Sequence, residues 1–178
     1  MFQRPDDPVA LAVALVNTWD ELEDPPDRLR DVGVLRRLLD RHGFAGEGRR
    51  ATAADVEAAR ALRDRLRSAF EVEDEQTAVE FLNEIARDSE AMLQLVRERG
   101  AWRLRWVGAS FDVLASTTAA SLLKAIRDEG WQRFGICAAA PCCCVFVDRS
   151  RNRSRRYCSK LCADRVAQAA YRGRRREG

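Results

Sequence analysis

Residues 137 to 162 read Cys137-Ala-Ala-Ala-Pro-Cys142-Cys143-Cys144-Val-Phe-Val-Asp148-Arg149-Ser-Arg-Asn-Arg-Ser-Arg-Arg156-Tyr-Cys158-Ser-Lys-Leu-Cys162, and every cysteine of the 178-residue chain lies in this stretch. Cys137 and Cys142 form one close pair, Cys158 and Cys162 a second, and fifteen residues separate the pairs. Two short turns spaced this way converge on a tetrahedral ion, and zinc prefers four thiolates in a closed site. A segment this small cannot build a sufficient core alone, so the metal supplies folding free energy. Spacing alone leaves open which member of Cys142-Cys143-Cys144 is the ligand. Val145-Phe146-Val147 reads as a strand, and Ser159 is placed to cap a final helix. Cys158 and Cys162 then bracket a helix N-terminus, whose partial positive charge favours thiolates.

Two other readings of the cysteines exist. Structural disulfides need an oxidising compartment, and the start Met-Phe-Gln-Arg-Pro-Asp-Asp lacks the basic-then-apolar order of an export signal. No apolar run approaches the roughly 18 residues of a membrane span. The expectation is a cytoplasmic protein with reduced thiols and no membrane partner. Thiol exchange within Cys142-Cys143-Cys144 is the second alternative, although extra cysteines beside a zinc site are more often bystanders.

Charge divides the chain at the same place. Residues 133 to 178 hold twelve basic and three acidic residues, a net of +9, and the remainder holds nineteen basic and twenty-five acidic, a net of −6. Such asymmetry marks a basic module for a polyanion attached to an acidic body. Its loop alternates Arg149, Arg151, Arg153, Arg155 and Arg156 with Ser150, Asn152 and Ser154. Guanidinium forks and small donors of this kind suit phosphate oxygens and bind without sequence choice. On the expected last helix, Ala163, Val166, Ala167, Ala170 and Tyr171 form an inward stripe, and Arg165, Gln168, Arg172 and Arg175 an outward one. Gln168 suits adenine and Arg172 suits guanine. Docking of this basic face on the acidic body is the competing explanation.

The body is read from periodicity. Val9, Leu11, Val13, Leu15 and Val16 form a short apolar run whose period does not separate strand from buried helix, with helix the favoured reading, and Val34, Leu35, Leu38 and Leu39 mark a helix over 32–41 ending before Gly43. Thr52 with Asp55 opens a helix as a capping box, followed by Ala59, Leu62, Leu66, Ala69 and Phe70, with Arg60, Arg63, Arg65 and Arg67 on other faces. Ala78, Leu82, Ile85 and Ala86 define the next helix. Alternation then takes over, with Trp102, Leu104 and Trp106 on one side and Arg103 and Arg105 on the other, which predicts a hairpin turning at Gly100. Ala115, Ala119, Leu122 and Ile126 predict a long helix stopped by Gly130. The expected fold is mainly α: a helical domain over residues 1–132 with one β-hairpin, joined tightly to a small four-cysteine zinc finger over residues 133–178.

Cys137, Cys142, Ser150-Arg151-Asn152, Arg156, Cys158 and Cys162-Ala163-Asp164-Arg165 resemble the CGNR zinc finger family of bacterial proteins. By position the resemblance makes Cys142 the second ligand. The family's name-giving Gly and Asn are replaced by Ala163 and Asp164, and Arg165 is kept. A carboxylate at Asp164 repels phosphate, and its expected role is to hold Arg165 or Arg156. Leu15-Val16-Asn17-Thr18 and the helix order resemble the companion domain called ABATE. The resemblance implies a stress-linked transcription regulator with DNA as partner, a structural zinc ion, and a body that senses a small-molecule or protein effector or forms a homodimer. A zinc-stapled protein-interaction module is the alternative.

Nothing in the sequence suggests an enzyme. His42 sits in Asp40-Arg41-His42-Gly43, where a helix-end role is expected, and no nucleophile elbow, phosphate loop or metal-hydrolase signature is present. Asn17, Trp19 and Trp106 are candidates to line an effector pocket, with core packing and a turn-capping Asn as the plainer reading.

Overall fold

A computed structural model describes residues 7–98 and 100–175. Helix α1 (Pro8–Val16) begins at Asp7, whose carboxylate accepts hydrogen bonds from the Val9 and Ala10 amides, and Pro8 occupies the first turn where no amide is needed. Its Leu11, Ala12, Leu15 and Val16 are fully buried, which makes it the central rod of the molecule. Helix α2 (Val32–Arg41) spans the expected residues and carries Asp31 as its N-cap.

Helix α3 (Ala45–Arg50) was not expected, because Ala-Gly-Glu-Gly-Arg-Arg has no apolar period and two glycines. It forms because it packs on α2. A Cβ at Gly48 would stand 3.3 Å from the Arg36 carbonyl and 3.5 Å from Leu39 Cβ, so glycine permits the approach.

Helix α4 (Ala53–Glu71) opens with the expected capping box, the Thr52 amide donating to Asp55 at 2.6 Å. Two of the arginines read as lying off its apolar stripe face other parts of the protein. Arg63 is 4% exposed, donates to Asp27 at 2.9 Å and lies 5.5 Å from the Trp19 ring. Arg67 turns toward the cysteine segment. Helices α5 (Glu75–Asp88) and α6 (Ser110–Glu129) complete the bundle around α1 and α4. Between them β1 (Met92–Glu98) and β2 (Ala101–Val107) form the predicted antiparallel hairpin, with Gly100 at φ +82° in the turn.

After Gly130 a short 3-10 turn, Trp131–Arg133, leads into β3 (Phe134–Ile136), which pairs antiparallel with β4 (Val145–Val147). Strand β4 follows the sequence reading. Strand β3 was hidden, since Phe-Gly-Ile is broken by a glycine where β4 is a continuous apolar run. Phe134 packs on Phe70 and Trp131, with ring centroids 5.3 and 5.1 Å apart. Val145 and Val147 belong to the same buried cluster as α1, α4 and α6. The cysteine segment is therefore seated on the helical body. Helix α7 (Lys160–Arg174) is the last element of the described chain.

Candidate metal centre and basic surface

The first pair of cysteines is built by a tight turn. The Cys142 amide donates to the Ala139 carbonyl at 3.0 Å, and the Cys137 amide to the Cys144 carbonyl at 2.9 Å, which extends the β3–β4 ladder by one rung. The second pair sits at the start of α7. Ser159 caps that helix as expected, its hydroxyl accepting from the Cys162 amide at 3.3 Å. The Ala138 amide donates to the Arg156 carbonyl at 2.9 Å and ties the two turns together.

The four sulfurs of Cys137, Cys142, Cys158 and Cys162 lie within 4.8 Å of one another. Cys142 and Cys158 are 3.6 Å apart, as are Cys158 and Cys162. A tetrahedron with zinc–sulfur bonds of about 2.3 Å has edges of about 3.8 Å. Three of the four are buried and Cys158 is half-buried. Burial first, then the neighbouring thiols, push the Cys158 thiol far above its ordinary value, so sulfurs packed this closely oppose each other's ionisation. A dication at the centre removes that penalty. The donor set therefore fits one structural Zn²⁺ with no position left open.

Around these ligands, the Cys158 amide donates to Cys137 Sγ at 3.4 Å, and Arg165 stands 4.0 Å from Cys162 Sγ while donating to the Ala139 carbonyl. The Cys158 amide contact favours the Cys137 sulfur as thiolate. Cys143 and Cys144 lie outside the cluster. Cys144 is buried against Asp20, 3.7 Å away, and burial pushes its thiol up to about 12. Its placement is that of an inert packing thiol rather than an exchanging one.

Asp148 organises the arginine loop. Its carboxylate accepts from the Ser150 amide at 2.7 Å and the Arg155 amide at 2.9 Å, closing the loop on itself. Burial alone would raise this carboxyl. The Ser150 side chain and the Arg155 and Ser150 amides, helped by Arg133, outweigh it and hold the group below the usual carboxylate range.

The loop arginines then divide. Arg151, Asn152, Arg153 and Arg156 are exposed, the Arg156 guanidinium lying 5.9 Å from the Tyr157 ring. Arg155 is exposed as well but folds back: its guanidinium stacks 4.8 Å from the Phe146 ring and donates to the Tyr157 and Cys158 carbonyls. Arg149 pairs with Asp7. Arg165, expected on the outer face of the last helix, is half-buried beneath the zinc ligands.

On α7, Gln168, Arg172 and Arg175 are exposed as expected. The inward stripe is shorter than its period suggests. Ala163 and Val166 are half-buried, with Val166 packed on the cysteines, whereas Ala167, Ala170 and Tyr171 are exposed. The helix runs past the edge of the finger, where nothing faces it among the described residues. Asp164 pairs with Lys160 at 2.6 Å, and holds neither Arg165 nor Arg156.

The three candidate pocket residues have separate fates. Asn17 spans from the end of α1 to β4: its amide nitrogen donates to the Val145 carbonyl at 2.9 Å and its oxygen accepts from the Val145 amide at 2.8 Å. Trp19 lies beside Arg63, and Trp106 belongs to the hairpin. Four cavities among the described residues are lined by other side chains. Arg67, which the sequence places off the apolar stripe of α4, donates to the Cys143 carbonyl at 3.0 Å and is a second tie between body and finger. No sequence signal distinguishes it from the other arginines of α4. His42 closes α2, where burial first and nearby Arg41 next hold its pKa below the ordinary value.

A helical body bearing a closed four-cysteine finger, with an arginine surface beside the ligands, is the architecture of a zinc-finger protein whose metal is structural. Residues 9–129 match the ABATE model, described as "Putative stress-induced transcription regulator", and residues 133–175 match the CGNR zinc finger model. The chain belongs to the ABATE family and carries a CGNR zinc finger behind the family domain. No curated protein matches it.

Proposed function

We propose that the chain is a cytosolic transcription regulator that grips duplex DNA through its finger, and that it is not an enzyme. The observation that carries this reading is the arginine surface. Arg151, Arg153 and Arg156 on the loop and Arg172 and Arg175 on α7 are exposed and form no ion pair among the described residues, although the body is acidic. A basic face meant only to dock on the body would have found its carboxylates there. Arg149 has done so with Asp7, and the others have not.

The loop residues suit phosphate contacts and fix the finger on the backbone, and Gln168 and Arg172 on α7 are the candidates for base edges. Asp164 does not oppose this, because Lys160 neutralises it locally. The closed metal site supports a non-catalytic reading, since four protein ligands leave no position for substrate. A protein-docking finger is the second reading, and Leu161, 81% exposed on the first turn of α7, favours it.

The test is DNA binding by the zinc-loaded protein at several salt concentrations, beside a variant with Arg151, Arg153, Arg156 and Arg172 changed to Ala. Arg155 and Arg165 stay intact because they hold the finger together. Each phosphate contact contributes about −0.9 to the slope of log K against log salt, so the variant's slope should be shallower by roughly 3. No binding by the parent chain at low salt would move the finger to protein docking.

A further inference from the structure

The β1–β2 hairpin has a face that the helical body does not cover. Its register sets Leu93 opposite Trp106, Leu95 opposite Leu104 and Arg97 opposite Trp102, and strand alternation brings these six residues to one side. Leu95, Trp102 and Leu104 are 64%, 67% and 59% exposed. The other side carries Met92, Gln94, Val96 and Glu98 with Ala101, Arg103, Arg105 and Val107. There Glu98 accepts from Arg105 at 3.1 and 3.0 Å and Arg103 stands 3.7 Å away. The charged pairs of the ribbon gather on this side, with Met92 and Val107 at its root, and the larger apolar surface lies on the first.

A two-stranded ribbon is marginal in water without something packed on its apolar face. The body supplies little, since the hairpin meets it mainly where β2 approaches α6. Two tryptophans and three leucines leave on the order of 500 Å² of apolar surface uncovered, near the upper limit of what a monomer tolerates.

We propose that this face is the dimer interface of the protein, stacked on the same face of a second copy about a two-fold axis. An axis at the Leu95–Leu104 pair lays the Trp102 end of one hairpin over the Leu93–Trp106 end of the other, so the large residues of each copy meet leucine and tryptophan of its mate. The face is thus self-complementary in shape, as a two-fold contact requires. Two such faces bury roughly 1,000 Å² in total, the lower bound for a specific interface. The pairing does not depend on DNA. It would, however, present two fingers on one particle, the usual way small DNA-binding modules gain affinity.

The experiment is the oligomeric state of the full zinc-loaded chain, by sedimentation equilibrium without DNA, at low and high salt. Alongside it run a Leu95→Lys/Leu104→Lys variant and a neutral Leu95→Gln/Leu104→Gln variant, each checked for parental helicity by circular dichroism. The parent should be a dimer whose affinity is unchanged or improved by salt. Both variants should dissociate on the order of 100-fold more readily, since two apolar side chains are lost from each copy. The glutamine pair keeps the test informative if charge disturbs folding. A parent that stays monomeric at high concentration overturns the proposal and leaves the face to a different partner. A dimer that persists in a helical variant overturns it too, by placing the contact elsewhere.

Discussion

Two side chains, Asn17 and Asp7, join the ends of α1 to the finger. Asn17 presents its amide to the Val145 backbone as another strand would, filling one donor and one acceptor on a residue 1% exposed. Asn17→Ala leaves both backbone groups without a partner, and a buried unsatisfied group costs about 1–3 kcal/mol. The melting temperature should fall by several degrees. An unchanged melting temperature would mean that water replaces the amide and that the bridge is incidental. Asp7 caps α1 and pairs with Arg149 at once. Burial opposes its ionisation, but the Arg149 pair, together with the Ala10 and Val9 amides, holds its pKa below the ordinary value. A folded value depressed in this way contributes stability above the unfolded carboxylate pKa of about 3.9, lost as pH falls through the folded one. Asp7→Asn keeps a capping oxygen and removes the ion pair. Denaturant unfolding should find the variant less stable by roughly 1 kcal/mol or less at pH 7. The gap should close as the parent is titrated below pH 4, and a gap that stays constant would show that the charge contributes nothing.

The helices and strands differ in how far periodicity reaches them. Helices α2, α4, α5 and α6 and the hairpin are legible because each repeats an apolar residue at its own period and most carry a cap or a glycine stop, whereas α1 and β4 show only as short apolar runs. Helix α3 and β3 are not, since both are interrupted by glycine and carry no apolar pattern of their own, and they exist by packing on α2 and by pairing with β4. Gly135 shows what that pairing demands: a Cβ there would lie 2.8 Å from Phe146 Cζ, inside contact distance. Helix α7 errs in the other direction. Its pattern continues to Tyr171, but the core that would bury it ends at Val166, so Ala167, Ala170 and Tyr171 face solvent in the single chain. Period identifies a helix and the side that is apolar. It does not say whether anything stands opposite.

At the scale of the molecule, finger and body share one core. Val145 and Val147 pack among residues of α1, α4 and α6, Phe134 stacks on Phe70, and Arg67 and Asn17 bridge the remaining gap. No helix among the described residues is long and apolar enough to cross a membrane. Because the metal closes the turns that hold β3 against β4, its loss should be felt in the helices. Chelation of the zinc-loaded protein should lower the melting temperature followed by helical circular dichroism as well as unfold the finger. A finger that merely hangs from the body would instead leave the helical transition in place, and that result would refute a shared core.

The sequence by itself determined the two cysteine pairs of a zinc site, the helical class, the hairpin, and the concentration of positive charge in the last quarter of the chain. These follow from spacing, period and composition, which are local properties. Only the tertiary structure decided which arginines remain available. Arg149, Arg155 and Arg165 look like their neighbours in a basic run, yet one meets Asp7, one covers Phe146 and one lies under the cysteines. It also turned Asn17 and Arg67 into ties between finger and body, because those contacts join residues 128 and 76 positions apart. A guanidinium's role depends on which carboxylate, ring or carbonyl the folded chain brings within reach, and that partner has no fixed distance along the sequence.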